Sequence, residues 1–283
     1  MYQKIILRYI AFLLTIAAST SYAHNDKSDH HHSAQESHSS HHEHNAEPTI
    51  KLSIHKIENK DGKKLVQIKL FRIKDDKPIS PDDLKEVHTQ KVHLLIIDDS
   101  LIDYHHIHPK ALAEPGLYEF VWEPKTQGNY RIWADLCPVN TNTQEYVIAD
   151  LVAGKEANPE INQATVLESV IDGYTFKLSF DSDNLVTGTP VIGKITVTDA
   201  KGNPVTKLEP VMGAFAHIVG FADDMQTVVH IHPMGEEPSK STDRGGPELQ
   251  FHIEPAKAGF IKLFVQVSVN GKELFVPFGI TVK

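Results

Sequence analysis

Short apolar runs separated by turn sequences follow one another along the chain from residue 48 onward. The runs are rich in Ile, Val, Leu, Phe and Thr, and none keeps the 3.6-residue apolar period of an amphipathic helix over three turns. Turn signals such as Asp61-Gly62 and Asn270-Gly271 lie between them. The pattern predicts strands at 50–57, 64–73, 91–97, 103–108, 117–122, 129–136, 145–152, 164–170, 174–180, 191–198, 214–221, 226–232, 249–253, 260–269 and 273–282.

The spacing of these strands predicts the fold class. Many short strands at such intervals are typical of antiparallel sandwiches. The segment 153–163 breaks the series and is interpreted as a linker. We therefore predict an all-β protein with two tandem immunoglobulin-like (cupredoxin-like) antiparallel β-sandwiches, at 48–152 and 164–283.

The first 23 residues have the pattern of a secretory signal peptide. Lys4 and Arg8 precede an apolar run at 9–18, and a small-residue stretch ends at Ala23, where cleavage is expected. The apolar run is shorter than the roughly 20 residues that a membrane-spanning helix needs. The sequence predicts export to the periplasm or the medium, with no membrane span.

Residues 24–47 form a histidine-rich leader with Ser, Asp and Glu between the histidines. The leader has too few apolar residues to form a core, so we expect it to be disordered. Its composition indicates low-affinity collection of metal ions. The candidate leader ligands are His24, His30, His31, His32, His38, His41, His42 and His44.

An internal duplication is centred on histidines. The tetrapeptide His-Ile-His-Pro occurs at 106–109 and again at 230–233, and each copy follows another histidine, His93 or His217, by thirteen residues. A repeat of this length indicates that a whole structural unit was copied.

The first copy predicts a β-hairpin in which paired residue numbers sum to 199, with a loop at 98–101. This register places His93 opposite His106, where Cβ atoms lie about 4.5–5.5 Å apart. Residues two apart share one face of a strand, so His108 joins them. In the second copy the sum is 447, and the same reasoning places His217 opposite His230, with His232 beside them.

A further candidate ligand lies five residues before the first histidine of each copy. The predicted metal sites are therefore His88, His93, His106 and His108 in one copy, and Met212, His217, His230 and His232 in the other. Imidazole suits Cu(II), Zn(II) and Ni(II), and a thioether favours copper. Copper is the predicted cofactor, with zinc or nickel as alternatives.

Charge and cysteine content narrow the choice of partners. The formal net charge is -9, and removal of Lys4 and Arg8 with the signal peptide makes it about -11. The chain has no basic cluster for nucleic acid, which excludes that class of partner from the prediction. Cys137 is the only cysteine, so no intrachain disulfide can form. Its thiol could be a soft metal ligand or a buried structural group, and we expect the buried group.

The segments 88–109 and 212–233 resemble a motif of exported bacterial tandem-sandwich proteins with His-x-His-Pro sequences. These proteins are similar to periplasmic copper-resistance and heavy-metal-associated proteins. The resemblance implies a sandwich fold and copper binding.

The first hypothesis is a non-catalytic periplasmic metal-binding protein, most simply for copper. It would act in sequestration, delivery or tolerance, with a metal efflux or delivery protein as partner. One alternative is an interaction scaffold with structural histidines, because fold alone does not decide function. Another is a copper-dependent oxidase that uses His24 as the first residue of the mature chain. No set of catalytic residues is predicted.

Overall fold

Seventeen strands and a 3₁₀ helix make up the regular structure that the computed structural model describes, over residues 47–152 and 160–283. The predicted signal peptide, and all of the histidine-rich leader except Glu47, lie outside the described residues. We call the part from β1 to β9 repeat 1 and the part from β10 to β17 repeat 2.

Repeat 1 contains nine strands and the 3₁₀ helix, Pro81–Asp83. Its strands are β1 (Ile50–Lys60), β2 (Lys63–Arg72), β3 (Leu84–Lys85), β4 (Val92–Asp98), β5 (Tyr104–Ile107), β6 (Lys110–Ala111), β7 (Leu117–Trp122), β8 (Asn129–Pro138) and β9 (Glu145–Val152).

Repeat 2 contains eight strands. They are β10 (Glu168–Ile171), β11 (Tyr174–Phe180), β12 (Val191–Thr198), β13 (His217–Ala222), β14 (Val228–Met234), β15 (Glu248–Ile253), β16 (Gly259–Val269) and β17 (Lys272–Val282). Every strand expected from the apolar runs has a counterpart. The two-residue strands β3 and β6 were not predicted, because they are too short to show an alternating pattern.

Two antiparallel sheets form the sandwich of repeat 1. One has the strand order β1-β2-β7-β6 and the other β3-β8-β4-β5, with β9 also paired to β8. Inward residues alternate with outward ones along a strand, so Val66 and Ile68 of β2 meet Ile132 and Ala134 of β8 in one buried cluster. This cluster is the core of repeat 1.

Repeat 2 repeats the plan with one continuous path, β10-β11-β12-β15-β14-β13-β16-β17. Strand β14 belongs to both layers, because Ile231 pairs with Ile218 of β13 and His232 pairs with His252 of β15. Phe251 and Phe278, both fully buried, lie in the core between the layers. The prediction of an all-β chain with two antiparallel sandwiches is confirmed.

A third apolar cluster joins the repeats, and we call it the inter-repeat interface. Its buried members are Leu95, Ile97, Leu101, Tyr104 and Trp133 from repeat 1, and Val219, Phe221, Val228, Phe260 and Phe264 from repeat 2. Leu95 and Val219 hold equivalent positions in the duplicated sequence, as do Trp133 and Phe264. An interface to which both copies contribute the same positions has the arrangement of a twofold contact.

Aromatic rings hold the inter-repeat interface together. The ring of Tyr104 lies 5.3 Å from that of Phe221 and 4.8 Å from that of Phe264, and Trp133 lies 5.3 Å from Phe221. Such pairs contribute about 0.5–1.5 kcal/mol each beyond the area that they bury. Tyr104 and His106 project from the same face of β5. The histidines therefore lie next to the apolar inter-repeat interface, on the same face of the strand.

Within the described ranges, the structure has no helix of the length and apolar character needed to cross a membrane.

Candidate metal centre

Both histidine hairpins have a register two residues away from the predicted one. In repeat 1 His106 pairs with Leu95, and in repeat 2 His230 pairs with Val219. The predictions that His93 lies opposite His106 and that His217 lies opposite His230 are therefore wrong. If each ladder is continued by one pair, His93 lies opposite His108.

The cause of the shift in repeat 1 is the turn after β4, which the buried Asp98 organises. The Asp98 carboxylate accepts hydrogen bonds of 2.8 Å from the backbone N–H groups of Ile102 and Asp103, and Leu101 takes a φ of 58°. These bonds close residues 98–103 into a turn two residues longer than predicted. In repeat 2 the loop after β13 contains a different aspartate, Asp224, which accepts from the N–H of Thr227 at 2.8 Å.

A shift by an even number of residues leaves every side chain on its predicted face, whereas a shift by one would have reversed them. The structure accordingly brings together His93, His106 and His108, which we call the histidine triad. One ring nitrogen of each lies within 4.8 Å of the other two. His93 Nδ1 lies 3.0 Å from His106 Nε2 and 3.1 Å from His108 Nε2.

Hydrogen bonds to oxygen fix the protonation of two of these rings. His93 Nε2 lies 2.8 Å from the carbonyl oxygen of Val87, which can only accept, so Nε2 carries the proton and Nδ1 a lone pair. His106 Nδ1 likewise donates to Gln266 Oε1 at 2.9 Å, which leaves a lone pair on Nε2. The Gln266 amide is oriented by its own N–H, which donates to Glu273 at 2.9 Å.

Two nitrogen lone pairs therefore face each other across 3.0 Å, which is repulsive unless a cation lies between them or the Nε2–H of His108 donates a hydrogen bond to them. Protonation is a poor solution at neutral pH, because burial lowers the pKa of His93 to about 4 and that of His106 to about 3. A metal ion satisfies both lone pairs. Tetrahedral ligands about 2.0 Å from an ion lie about 3.3 Å apart, close to the spacing in the triad.

The hydrogen bonds on the far sides of the rings also suit a metal site. Metal-bound histidines commonly donate their second N–H to a backbone carbonyl or another acceptor, which fixes the ring and raises its basicity. His93 and His106 both do so, to Val87 and Gln266. The residues present therefore fit a bound metal ion.

His88 lies apart from the triad, at the tip of a two-residue turn closed by the Val87–Gln90 bridge. Its ring makes an edge contact with His217 of repeat 2 at 5.1 Å, and a longer one with His93 at 6.3 Å. The structure does not bring His88 into the three-nitrogen group.

The second predicted set is only partly described. His217 Nε2 donates to the carbonyl oxygen of Val211 at 3.0 Å, as its counterpart His93 does to Val87, and burial lowers the pKa of His217 to about 4. Met212 lies in a turn equivalent to that of His88, and its φ of 47° matches 48° there. The backbone of β14 places His230 and His232, but their side chains lie outside the described structure.

Two polar residues near the site were not predicted. Gln266 orients His106, and Asp135 of β8 pairs with His93 in the strand ladder. Asp135 accepts a 2.6 Å hydrogen bond from Gln144 Nε2, and burial raises its pKa to about 7. A polar residue inside an otherwise apolar strand, at matching places in the two copies, was the available signal.

Cys137 lies on β8 and is buried, and burial raises the pKa of its thiol. It is not part of the three-nitrogen group. This agrees with a buried structural thiol.

The fold and the site define a class: a duplicated, two-sandwich β-protein with histidines gathered where its repeats meet. The chain belongs to the family described as "Domain of unknown function (DUF8832)", which matches residues 44–149 and 168–283. No curated protein shows a significant sequence match to the chain.

Solved structures with some likeness include three bacterial or surface proteins. The Escherichia coli adhesin FdeC is 16% identical over 83% of this chain and 64% of its own, with a TM-score of 0.25. MtrC from Shewanella baltica is 8% identical, covering 82% and 68%, with a TM-score of 0.24. Domains 4 and 5 of the S-layer protein SbsC are 12% identical, covering 82% and 96%, with a TM-score of 0.22.

The chain thus spans less than two thirds of the adhesin's length. At these TM-scores the likenesses support no inference about function. The comparisons do not show the copper-resistance or heavy-metal-associated families that the sequence resembles.

Proposed function

We propose that this protein is an exported metal-binding protein whose histidine triad holds a copper ion, for sequestration, delivery or tolerance and without catalysis. The observation that supports this function is the pair of lone pairs on His93 Nδ1 and His106 Nε2, 3.0 Å apart. A resting structural pair would place a proton between the rings. Here both protons are committed to oxygen acceptors on the far sides.

Copper is the first choice of metal because of the donor set. Imidazole nitrogen binds Cu(II) more tightly than Zn(II) or Ni(II) in the usual order of stability. A site of three imidazoles also leaves a further coordination position, which suits an ion that must be handed on. Zinc and nickel are the alternatives that a competition experiment would reveal.

The histidine-rich leader supplies the first step of this function. Its eight histidines would capture ions weakly in the periplasm or medium, and the shared chain would hold them near the triad at high effective concentration. A metal efflux or delivery protein would be the recipient. The acidic balance of the chain, formally -9, favours cations over anions near its surface.

The test is the metal content of the full mature chain in which the eight leader histidines are replaced by serine. The protein is equilibrated with copper, zinc and nickel together, dialysed, and analysed by mass spectrometry for bound metal. We expect copper to be retained, and His106→Ala to lower the content by about one ion per chain. The control is His55→Ala, which removes an exposed histidine of repeat 1 outside the cluster.

Retention of no metal by the leader-substituted chain would contradict the proposal. Equal losses of metal in His106→Ala and in the control His55→Ala would also contradict it.

A scaffold is the second candidate function, and the inter-repeat interface favours it. The triad borders an apolar cluster shared by both repeats, and His106 reaches Gln266 of the other repeat. The histidines would then serve only to join the repeats. In that case His106→Ala would lower stability or partner binding and leave the metal content unchanged.

A further inference from the structure

The turns that carry His88 and Met212 occupy equivalent places in the two repeats. Each is a two-residue turn closed by a bridge, Val87 to Gln90 in one copy and Val211 to Ala214 in the other. His88 and Met212 have nearly equal φ angles, 48° and 47°. The sequence alone suggested that each turn residue completes the site of its own repeat.

The structure places His88 against the other repeat. Its ring centroid lies 5.1 Å from that of His217 in repeat 2, with the rings at 80°, and 6.3 Å from that of His93 in its own repeat. The His88 ring is therefore nearer to the histidine of repeat 2 than to the one in its own repeat.

His217 is prepared as a ligand in the same way as His93. Its Nε2 donates to the carbonyl oxygens of Val211 and Met212 at 3.0 and 3.2 Å, so its Nδ1 carries a lone pair. His88 is thus the neighbour of an imidazole that belongs to the site of repeat 2, rather than a fourth member of the triad in repeat 1.

The inter-repeat interface indicates which residue could replace His88 as the fourth ligand of the histidine triad. Both repeats contribute equivalent positions to it, such as Leu95 and Val219, or Trp133 and Phe264. In a twofold contact, if residue i of one copy touches residue j of the other, then j of the first faces i of the second. Such an arrangement would match the contact from His88 to His217 with one from Met212 to His93.

We infer that the two repeats exchange their turn ligands, so that Met212 of repeat 2 completes the copper site of the triad while His88 of repeat 1 serves the site of His217. This inference rests on the proposed function. It changes the chemistry of each site, because the triad becomes a three-imidazole, one-thioether set, the kind that favours copper over zinc. The site of His217 becomes an imidazole site without sulfur.

X-ray absorption of copper-loaded, leader-substituted full chain tests the exchange, since it distinguishes sulfur from nitrogen neighbours. His217→Gln disables the site of repeat 2 and leaves the triad, and His106→Gln does the reverse. Glutamine is chosen because its amide can keep a hydrogen bond. We expect a copper–sulfur shell in His217→Gln and nitrogen neighbours only in His106→Gln.

Ligands kept within each repeat predict the opposite pattern, with sulfur in His106→Gln and none in His217→Gln, and that result would overturn the exchange. If either glutamine variant does not fold, Met212→Leu decides in the chain with all its cluster histidines, loaded with two copper ions. We then expect loss of the sulfur shell together with faster loss of copper from the triad. The copper of the triad is measured as the part of the retained copper that disappears when His106 is also replaced. The matched control Met234→Leu removes a half-exposed methionine and should keep both.

The outcomes separate this inference from the proposed function. A chain that retains no copper in any form overturns both. Copper that is retained and lost with His106→Gln, but without a sulfur shell in His217→Gln, leaves the proposed function standing and overturns the exchange alone.

Discussion

Each repeat has a hydrogen bond between a carboxylate and an amide beside its first histidine. The carboxylate lies on the buried strand in repeat 1, whereas the amide lies on the equivalent strand in repeat 2. In repeat 1 the buried strand β8 carries the carboxylate of Asp135, to which Gln144 Nε2 donates at 2.6 Å. In repeat 2 the equivalent strand β16 carries the amide of Gln266, which donates to Glu273 at 2.9 Å. Asp135 and Gln266 pair with His93 and His217, so they are matched positions.

The reversal changes what each position can do. An amide has a donor and an acceptor, so Gln266 can hold the Glu273 carboxylate and still accept the N–H of His106. An ionised carboxylate only accepts, and burial makes its charge costly. Glu273 avoids this cost because it is exposed, whereas Asp135 is 7% exposed. Equivalent positions of the two repeats therefore carry an ionisable side chain in one case, Asp135, and a neutral side chain in the other, Gln266.

Asp135→Asn should break this difference and have the largest effect. Burial raises the folded-state pKa of Asp135 from 3.8 to about 7, so the folded state binds a proton that the unfolded state has lost. The penalty grows as pH rises from about 4 to about 7, by about 1.4 kcal/mol per unit, and is complete above pH 7. At pH 8 the free energy of unfolding of the variant should exceed that of the parent by a few kcal/mol. At pH 5 this advantage should be smaller.

Urea unfolding of metal-free protein at the two pH values measures this difference. Glu273→Gln is the matched control, since it removes an exposed carboxylate from the equivalent pair. An advantage of Asp135→Asn that is the same at pH 5 and pH 8 would contradict the account.

The buried histidines should give the next largest effect, with the opposite dependence on pH. Burial lowers the folded-state pKa of both His93 and His217 from 6.5 to about 4, so below pH 6.5 the unfolded state binds more protons. The contribution of each neutral histidine to the free energy of unfolding is fully present above pH 6.5. It falls by about 1.4 kcal/mol per pH unit as the pH is lowered toward 4.

His93→Gln and His217→Gln should each reduce this slope in metal-free protein by similar amounts, because the two positions are equivalent. Unfolding free energies between pH 7 and pH 5 give the slope, with substitution of the exposed His55, His55→Gln, as control. A slope that only one of the two substitutions changes would show that the repeats are not equivalent in this respect.

The turns at 88–89 and 212–213 should give the smallest effect. Thr89 has a φ of 68°, and Gly213 at the matching position has a φ of 82°. Glycine adopts this left-handed conformation without strain, whereas threonine does not. A left-handed conformation costs a non-glycine residue about 1–2 kcal/mol, and glycine adds about 0.5–1 kcal/mol of entropy cost on folding.

Thr89→Gly should therefore stabilise the protein by up to about 1 kcal/mol, and Gly213→Thr should destabilise it by a similar amount. A Cβ at Gly213 would meet nothing within 4 Å, so crowding does not confuse the reverse substitution. Thermal unfolding would measure both, and equal signs for the two changes would refute the strain argument.

Much of the fold could be read from the sequence because strands and faces depend on local order. Apolar runs located β1 to β17 except for the two-residue strands β3 and β6, and the period of two placed His93, His106 and His108 on one face. In repeat 1 the predicted register was wrong by two residues because one side chain, Asp98, extends the turn through its hydrogen bonds. Nothing in the apolar pattern distinguishes a capping aspartate from an ordinary loop residue.

Contacts between the repeats could not be predicted, since they join residues that lie far apart in the sequence. His106 and Gln266 are separated by 160 residues, and His88 meets His217 only after both sandwiches have formed and packed. The duplication showed that two similar units exist. It did not show that their histidine faces meet.

An interface made from the same positions of two copies is what a symmetric homodimer would have, here within one chain. In a homodimer every mutation appears on both sides at once, so the two halves cannot specialise. Joining the copies end to end removes that constraint. Met212 could then replace a histidine on one side while His88 stayed on the other, and Asp135 and Gln266 could divide their tasks. Covalent duplication gave this protein an asymmetry that self-association could not provide.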